Sequence, residues 1–159
     1  MNPGLITDWT EHDNAVQQVL LLATHTLRIF DKDLTRLRLE KPENVFFLRR
    51  FLSCDRQSTL TIIVRDAEPF RRNSPRLMAL FSDYPHAMQI YECPPSLATG
   101  LKDNMLLSDT SHALIRFHED HARSRTIIDN MRECRPYILR FEEIIREGNT
   151  ALSPTTLGL

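Results

Sequence analysis

Apolar and polar positions alternate with clear periods along this chain. Val16, Val19, Leu20 and Ala23 keep i, i+3, i+4, i+7 spacing, which predicts one amphipathic helix over about 11–24. Thr10, three residues before Asp13, forms a capping-box pattern at its start. Residues 26–30 (TLRIF) have strand length and composition, and Asp31-Lys32-Asp33 ends them. After an irregular stretch over 34–42, Pro42 precedes a second helix over about 43–53. Val45, Leu48 and Leu52 form its apolar face, with Phe47 and Phe51 beside them. Leu60-Thr61-Ile62-Ile63-Val64 is the strongest strand pattern, β-branched and apolar on both faces as a central strand should be. Ser74-Pro75 reads as an N-cap followed by proline at the first helical position. Leu77, Leu80 and Phe81 line that helix, and Tyr84-Pro85 stops it. Residues 87–91 form a third strand, and Pro94-Pro95 opens a loop.

The chain is organised around residues 101–117. Met105 to Leu107 is a continuous apolar run. Asp109-Thr110-Ser111 then supplies a tight turn, because Asp and Ser side chains can bond their own backbone there. The return strand alternates, with Ala113, Ile115 and Phe117 on one face and His112, Leu114 and Arg116 on the other. Residues 125–128 are a further short strand. A closing helix runs from about Pro136 to Glu147, with Tyr137, Phe141, Ile144 and Ile145 facing inward and Gly148-Asn149 as its stop. Strands separated by helices imply parallel pairing with right-handed crossovers. The expectation is an α/β fold with a mixed, mostly parallel sheet and helices on both faces. Residues 11–148 form the single domain, 1–10 an N-terminal arm and 149–159 a flexible tail.

Composition narrows the chemistry. Hydrophobic content of 42% and charged content of 26% are those of an ordinary globular domain, and 159 residues suffice for a core without disulfide or metal. The net charge of −1 supplies no global field for nucleic acid or acidic membrane. Nucleic acid is therefore not an expected partner, and no cofactor is expected. Cations are 17 Arg against 3 Lys; arginine-rich surfaces can be anion sites, but genomic base composition gives the same bias and is the plainer reading. Cys54, Cys93 and Cys134 are odd in number and far apart, with no Cys-x-x-Cys pair, so a reducing cytoplasmic setting is expected. The first residues lack a basic region and an apolar run, so they do not resemble a signal peptide. No apolar run approaches the roughly 20 residues a membrane span needs.

Candidate chemistry is sparse. His112, His118 and His121 cluster with Glu119 and Asp120, but His118 and His121 are three apart rather than the four of His-Glu-x-x-His. Ordinary surface histidines explain them without a metal. Arg65, Arg71, Arg72 and Arg76 gather after the second strand, beside Asp31, Asp66 and Glu92 near three strand ends, where open α/β sheets bind ligands. The Ser74-Pro75 helix start adds possible backbone donors for an anion. An exposed basic loop paired with nearby acids is the plainer reading. The four glycines are isolated, which excludes a Walker loop, a Rossmann fingerprint and a Gly-x-Ser-x-Gly elbow. Trp9 reads as a packing anchor.

The element order and the "strand, Asp, turn" context of Asp109 resemble half of a phospholipase D-like protein. That family carries His-x-Lys-x-x-x-x-Asp, with a nucleophilic histidine and a phosphate-gripping lysine, and two copies meet to form one site. Counting back from Asp109, the histidine position holds Lys102 and the lysine position holds Asn104. Phe30, Leu39 and Gly100 stand two residues before the three lysines, so His-x-Lys occurs nowhere. The resemblance is closest to bacterial domains that look like a catalytically empty half, some of which follow an acetyltransferase domain. It implies a non-catalytic domain that acts by binding an anionic ligand or a protein partner, and it implies a homodimer. The candidate ligand-binding residues are Lys102, Asn104, Asp109, His112, Arg116, Arg65 and Arg72, with no catalytic residue and no metal ligand. Two alternatives stay open. One is a phosphodiesterase or nuclease with a non-standard site built on His112. The other is an adaptor for a separately encoded acetyltransferase.

Overall fold

The computed structural model describes residues 4–100 and 102–154. Leu101 at the start of the hairpin stretch, residues 1–3 of the expected arm and residues 155–159 of the expected tail lie outside the described residues. The strands are β1 (Leu5–Ile6), β2 (Thr26–Asp31), β3 (Thr59–Val64), β4 (Met88–Glu92), β5 (Asn104–Ser108), β6 (His112–Arg116), β7 (Ser124–Ile127) and β8 (Thr150–Ala151). The helices are α1 (Trp9–Leu22), α2 (Pro42–Cys54), α3 (Glu68–Asn73), α4 (Pro75–Asp83), α5 (Pro95–Gly100) and α6 (Met131–Ile145).

Among the described residues the eight strands join one sheet in the order β1-β7-β6-β5-β2-β3-β4-β8. The β2–β3 and β3–β4 pairs are parallel, as strands joined through helices must be. The other five pairs are antiparallel. The sheet is mixed, but the mostly parallel description is corrected. The hairpin attaches through β5 to β2, β7 returns beside β6, and the two chain-terminal stubs close the edges. All of these pairings reverse direction. The stretches expected as arm and tail thus contribute β1 and β8, with Thr126 N donating to Gly4 O at 2.8 Å and Leu152 N to Ile90 O at 2.8 Å.

Alternation along the strands divides two cores. Leu27, Ile29, Leu60, Ile62, Leu106 and Leu114 face one layer, where they pack with Val16, Val19 and Leu20 of α1, Leu48 and Leu52 of α2 and Leu77 and Leu80 of α4. Phe30, Ile63, Met105, Leu107, Ala113 and Ile115 face the other and meet Cys134, Phe141 and Ile144 of α6. Each fully buried Leu or Ile contributes about 1.5–3 kcal/mol relative to exposure, so these two layers dominate the fold's stability.

Two helix starts differ from the expected ones, and a third, α4, begins at Pro75 as expected but is capped differently. Asp8, not Thr10, caps α1 by accepting from Glu11 N at 2.8 Å. Asn130 caps α6 by accepting from Glu133 N at 3.0 Å, so this helix begins five residues before Pro136 and contains it. Pro136 is the sixth residue of the helix, inside it, and lacks the amide that would bond the Arg132 carbonyl one turn back. Ser74 precedes α4 without a side-chain cap bond. The carboxylate of Glu40 accepts from Arg76 N at 2.9 Å and Leu77 N at 3.0 Å instead. The anion at that helix start belongs to the protein itself.

Candidate functional site

The carboxyl ends of β2, β3 and β6 and the amino end of β5 converge on one edge of the sheet. Antiparallel register places Asn104 directly opposite Arg116, and Phe30 opposite Met105, which brings Asp31 beside Asn104. Two arginines organise this edge, and both are buried.

Arg116, 1% exposed, donates from Nη2 to Asp31 Oδ1 at 3.0 Å. The second oxygen of Asp31 accepts from Leu34 N at 2.8 Å and Asp33 N at 3.3 Å. Arg116 Nη1 lies 3.4 Å from His12 Nε2, and its guanidinium sits 5.7 Å from the Trp9 ring. A guanidinium only donates, so Nε2 of His12 is the acceptor and the ring proton is on Nδ1. Burial first, then the charges of Arg116 and Arg36, pull the His12 pKa down to about 4. His12 is therefore neutral at pH 7. Trp9 is the packing anchor expected of it: Arg36 covers its face at 4.4 Å and His12 meets it edge-on at 5.2 Å.

Arg65 follows β3 and lies over the Phe30 ring at 4.6 Å. It donates from Nη1 to Asn104 Oδ1 at 2.7 Å and from Nη2 to the carbonyl of Asp103. Asn104 Oδ1 also accepts from Lys32 N at 3.0 Å. Glu119 brings a carboxylate to 3.9 Å from Arg65. Burial pulls the Arg65 pKa below its ordinary value, and Asp31, Glu119 and Cys93 counter it. Arg140 holds the Asp103 carboxylate at 3.2 Å. Glu92 accepts from Ala67 N at 2.8 Å. The edge is thus a polar crevice closed by the protein's own side chains, in which each guanidinium already has a carboxylate or carbonyl.

The candidates from sequence separate into two ends and an outlier. Asn104, Arg116 and Arg65 meet at the crevice, and Lys102 is exposed on the loop leading into it. Asp109 and His112 stand at the other end of the hairpin, about 14 Å away for a five-residue strand. Asp109, at φ +53°, is the turn residue. Its carboxylate accepts from Thr24 N, Thr24 Oγ1, His25 N and Thr26 N at 2.8–2.9 Å, pinning the α1–β2 connection to the hairpin. Burial pushes the Asp109 carboxyl up, but the donors from Thr26, His25 and Thr24 outweigh it and hold the pKa below its ordinary value. His112 Nδ1 accepts from Asp129 N at 3.0 Å and so is committed to the backbone. Arg72 is exposed on α3 and pairs with Glu68 at 3.3 Å. Arg71 shares that glutamate at 3.5 Å, and Arg76 pairs with Glu40 at 3.5 Å.

His118 and His121 stack at 4.8 Å, yet among the described residues no three His, Cys, Asp or Glu side chains gather to hold a metal. Cys93 and Cys134 are buried and Cys54 exposed, all unbridged. Burial pushes the Cys134 thiol up to about 11, away from thiolate chemistry. The residues that sequence reasoning missed are His12 and the pairing of Asp31 with Arg116. A histidine three and four residues before Ala15 and Val16, on the buried stripe of α1, was the available signal.

These features define an α/β domain with a mixed open sheet whose arginine-centred crevice is built into the core. The chain belongs to the DUF7931 family, a domain of unknown function, whose model matches residues 8–151. No curated protein matches it in sequence. Among solved structures it is similar to TrmBL2, described as an archaeal chromatin protein with a novel mode of DNA binding. The TM-score is 0.66 at 10% identity, over 93% of this chain and 53% of that one. The chain therefore spans about half of TrmBL2, and at that identity the likeness shows the fold. It also corrects the expectation that excluded nucleic acid, because a DNA-binding protein contains this fold and net charge alone does not separate the two. Among the described residues no helix is long and apolar enough to cross a membrane.

Proposed function

We propose that this chain is a non-catalytic, phospholipase D-like domain that acts by binding. The observation that carries the reading is the commitment of Asn104. It occupies the position where the resemblance implies a phosphate-gripping lysine, and its side-chain oxygen already serves Arg65 and the Lys32 amide. Arg116 beside it is likewise held by Asp31. A phosphoryl group entering here would have to displace a buried carboxylate from a buried guanidinium, an exchange opposed by several kcal/mol for the uncovered charge. Lys102, in the nucleophile position, is exposed on the loop before β5 and supplies no imidazole to attack phosphorus.

The test is hydrolysis of bis-para-nitrophenyl phosphate by the wild-type chain and by His112→Ala. The expected result is no turnover above buffer in either. Turnover in the wild type that His112→Ala removes would establish the alternative phosphodiesterase and end this reading.

One further observation favours nucleic acid as what is bound. The fold is shared with a DNA-binding chromatin protein, and 17 of the 20 cationic side chains are arginines, the residue type that grips phosphate in a fork; those at the surface, Arg72 among them, are the ones within reach of a duplex. Fluorescence anisotropy with a labelled DNA duplex at about 50 and 200 mM salt decides it. Binding through phosphates weakens steeply across that range. No anisotropy change at the lower salt removes DNA as the ligand.

A further inference from the structure

We propose that the loop from β6 to β7, residues 117–123, is a gate over the crevice, and that its Glu119 and Asp120 hold the place of a doubly charged phosphate group bound by Arg65 and Lys32. This rests on the reading of the domain as a binding module and names a ligand for the crevice mouth. Asp31 and Val64 are register partners on β2 and β3, so Lys32 and Arg65 follow side by side at the two strand ends. Arg65 N donates to Asp31 O at 3.1 Å and to Lys32 O at 3.0 Å, which fixes that spacing. The loop brings one acid to each cation, Glu119 to Arg65 at 3.9 Å and Asp120 to Lys32 at 3.8 Å. Both distances exceed the roughly 2.7–2.9 Å of a charge-assisted hydrogen bond. Structural pairs of the same domain are closed far more tightly, Arg125 to Glu133 at 2.8 Å and Arg116 to Asp31 at 3.0 Å. The acids of the loop therefore neutralise the two cations without locking onto them.

The loop's own hydrogen bonds are local. Phe117 N donates to Arg123 O at 3.1 Å across its base. At its tip His121 N donates to His118 O at 3.3 Å and Asp120 N to His118 Nδ1 at 3.1 Å. Behind the loop an open cleft of about 500 Å³ lies between Phe117, His118 and His121 on one side and Leu5 and Thr7 on the other. The tip has room to swing into that cleft, and ion pairs reached by solvent restrain it weakly. Charge selects the ligand. The Arg65 side chain is 5% exposed, and a buried guanidinium keeps a counter-charge, so the gate opens as one anion is exchanged for another. Opening withdraws two carboxylates from two cations. A phosphate monoester, at about −1.5 to −2 near pH 7, restores that charge in one group, whereas a carboxylate or a phosphodiester restores about half of it. The exchange leaves the Arg116–Asp31 pair and the bonds of Asn104 in place, so it avoids the cost that bars a phosphoryl group from the deeper position.

The full chain is titrated with inorganic phosphate at about pH 8 and constant ionic strength, with acetate and dimethyl phosphate as singly charged controls, and amide shifts are read by NMR. Phosphate is expected to shift amides at Lys32, Arg65 and residues 117–123, and to bind at least about tenfold more tightly than either control. Glu119→Gln combined with Asp120→Asn removes the internal occupants. Its affinity for phosphate is expected to rise about tenfold, the gain for a site otherwise open about a tenth of the time. Lys32→Gln is expected to lower the affinity about fivefold. Far-ultraviolet circular dichroism checks that each variant folds. Should the double variant not fold, Asp120→Asn alone decides, at an exposed position and with an expected gain of about threefold. Phosphate affinity unchanged in these variants, shifts confined to other parts of the domain, or controls that bind as tightly as phosphate would overturn the proposal. So would the absence of saturable phosphate binding to the folded double variant. The hydrolysis and duplex measurements decide separately whether the domain is catalytic or binds DNA, so the two readings fail independently.

Discussion

Acidification from pH 7 to pH 4 should cost this fold stability through one buried imidazole. His12 is fully buried against Trp9, Arg116 and Arg36, with Asp31 as the carboxylate on the far side of Arg116. Its folded pKa is about 4, against an ordinary value of 6.5. In the unfolded chain it takes up a proton as the pH falls through 6.5, whereas in the fold it stays neutral down to about 4. The unfolded state therefore binds more protons across that window, and stability falls as the pH falls. About 2.5 pK units at 1.36 kcal/mol each give a loss of about 3 kcal/mol by pH 4. Domains of this size are stable by only about 5–15 kcal/mol, so the loss is a large fraction of the total. Urea denaturation of wild type and His12→Gln at half-unit pH steps isolates the term. Their difference should shift by about 3 kcal/mol between pH 7 and pH 4 in favour of the variant. Parallel pH profiles, or a His12 ring titration by NMR centred above pH 6, would refute the reasoning.

Two further perturbations follow from the same structure. Removing one member of the buried pair, by Arg116→Ala or Asp31→Ala, should destabilise the domain by about 3–5 kcal/mol in chemical denaturation, because either change leaves a buried charge without its partner. Asp109→Ala removes the acceptor of four hydrogen bonds and should cost about 2–4 kcal/mol, with amide exchange accelerated at Thr24, His25 and Thr26. Because the Asp109 pKa is depressed in the fold, its contribution is present above the ordinary value of 3.8 and is lost as the pH drops through the lower folded value. Asp109→Asn should accordingly flatten the acid limb of the stability curve below that point.

Much of the architecture is written in local patterns. The β-branched run of β3, the alternation of β6 and the apolar stripe of α1 are properties of a few consecutive residues, and each element forms where its period requires. The strand directions are not local. β5 pairs with β2 across more than seventy residues, and β1 and β8 carry too few residues for any periodicity. The crevice was legible in part. The strand-end rule pointed to Asp31, Arg65 and Glu92, and counting back from Asp109 pointed to Asn104. What no spacing shows is who partners whom. Asp31 and Arg116 are 85 residues apart, and Arg65 and Asn104 are 39 apart. Arg116 reads from sequence as a candidate ligand contact on an alternating strand, and only the sheet register turns it toward α1 and into its pair with Asp31.

The two borders of the sheet carry a consequence for association. Each is a stub of two residues, β1 along β7 and β8 along β4. So short a rim offers an incoming strand almost no ladder to extend, and addition of a peptide or a misfolded neighbour by main-chain pairing is suppressed at both ends.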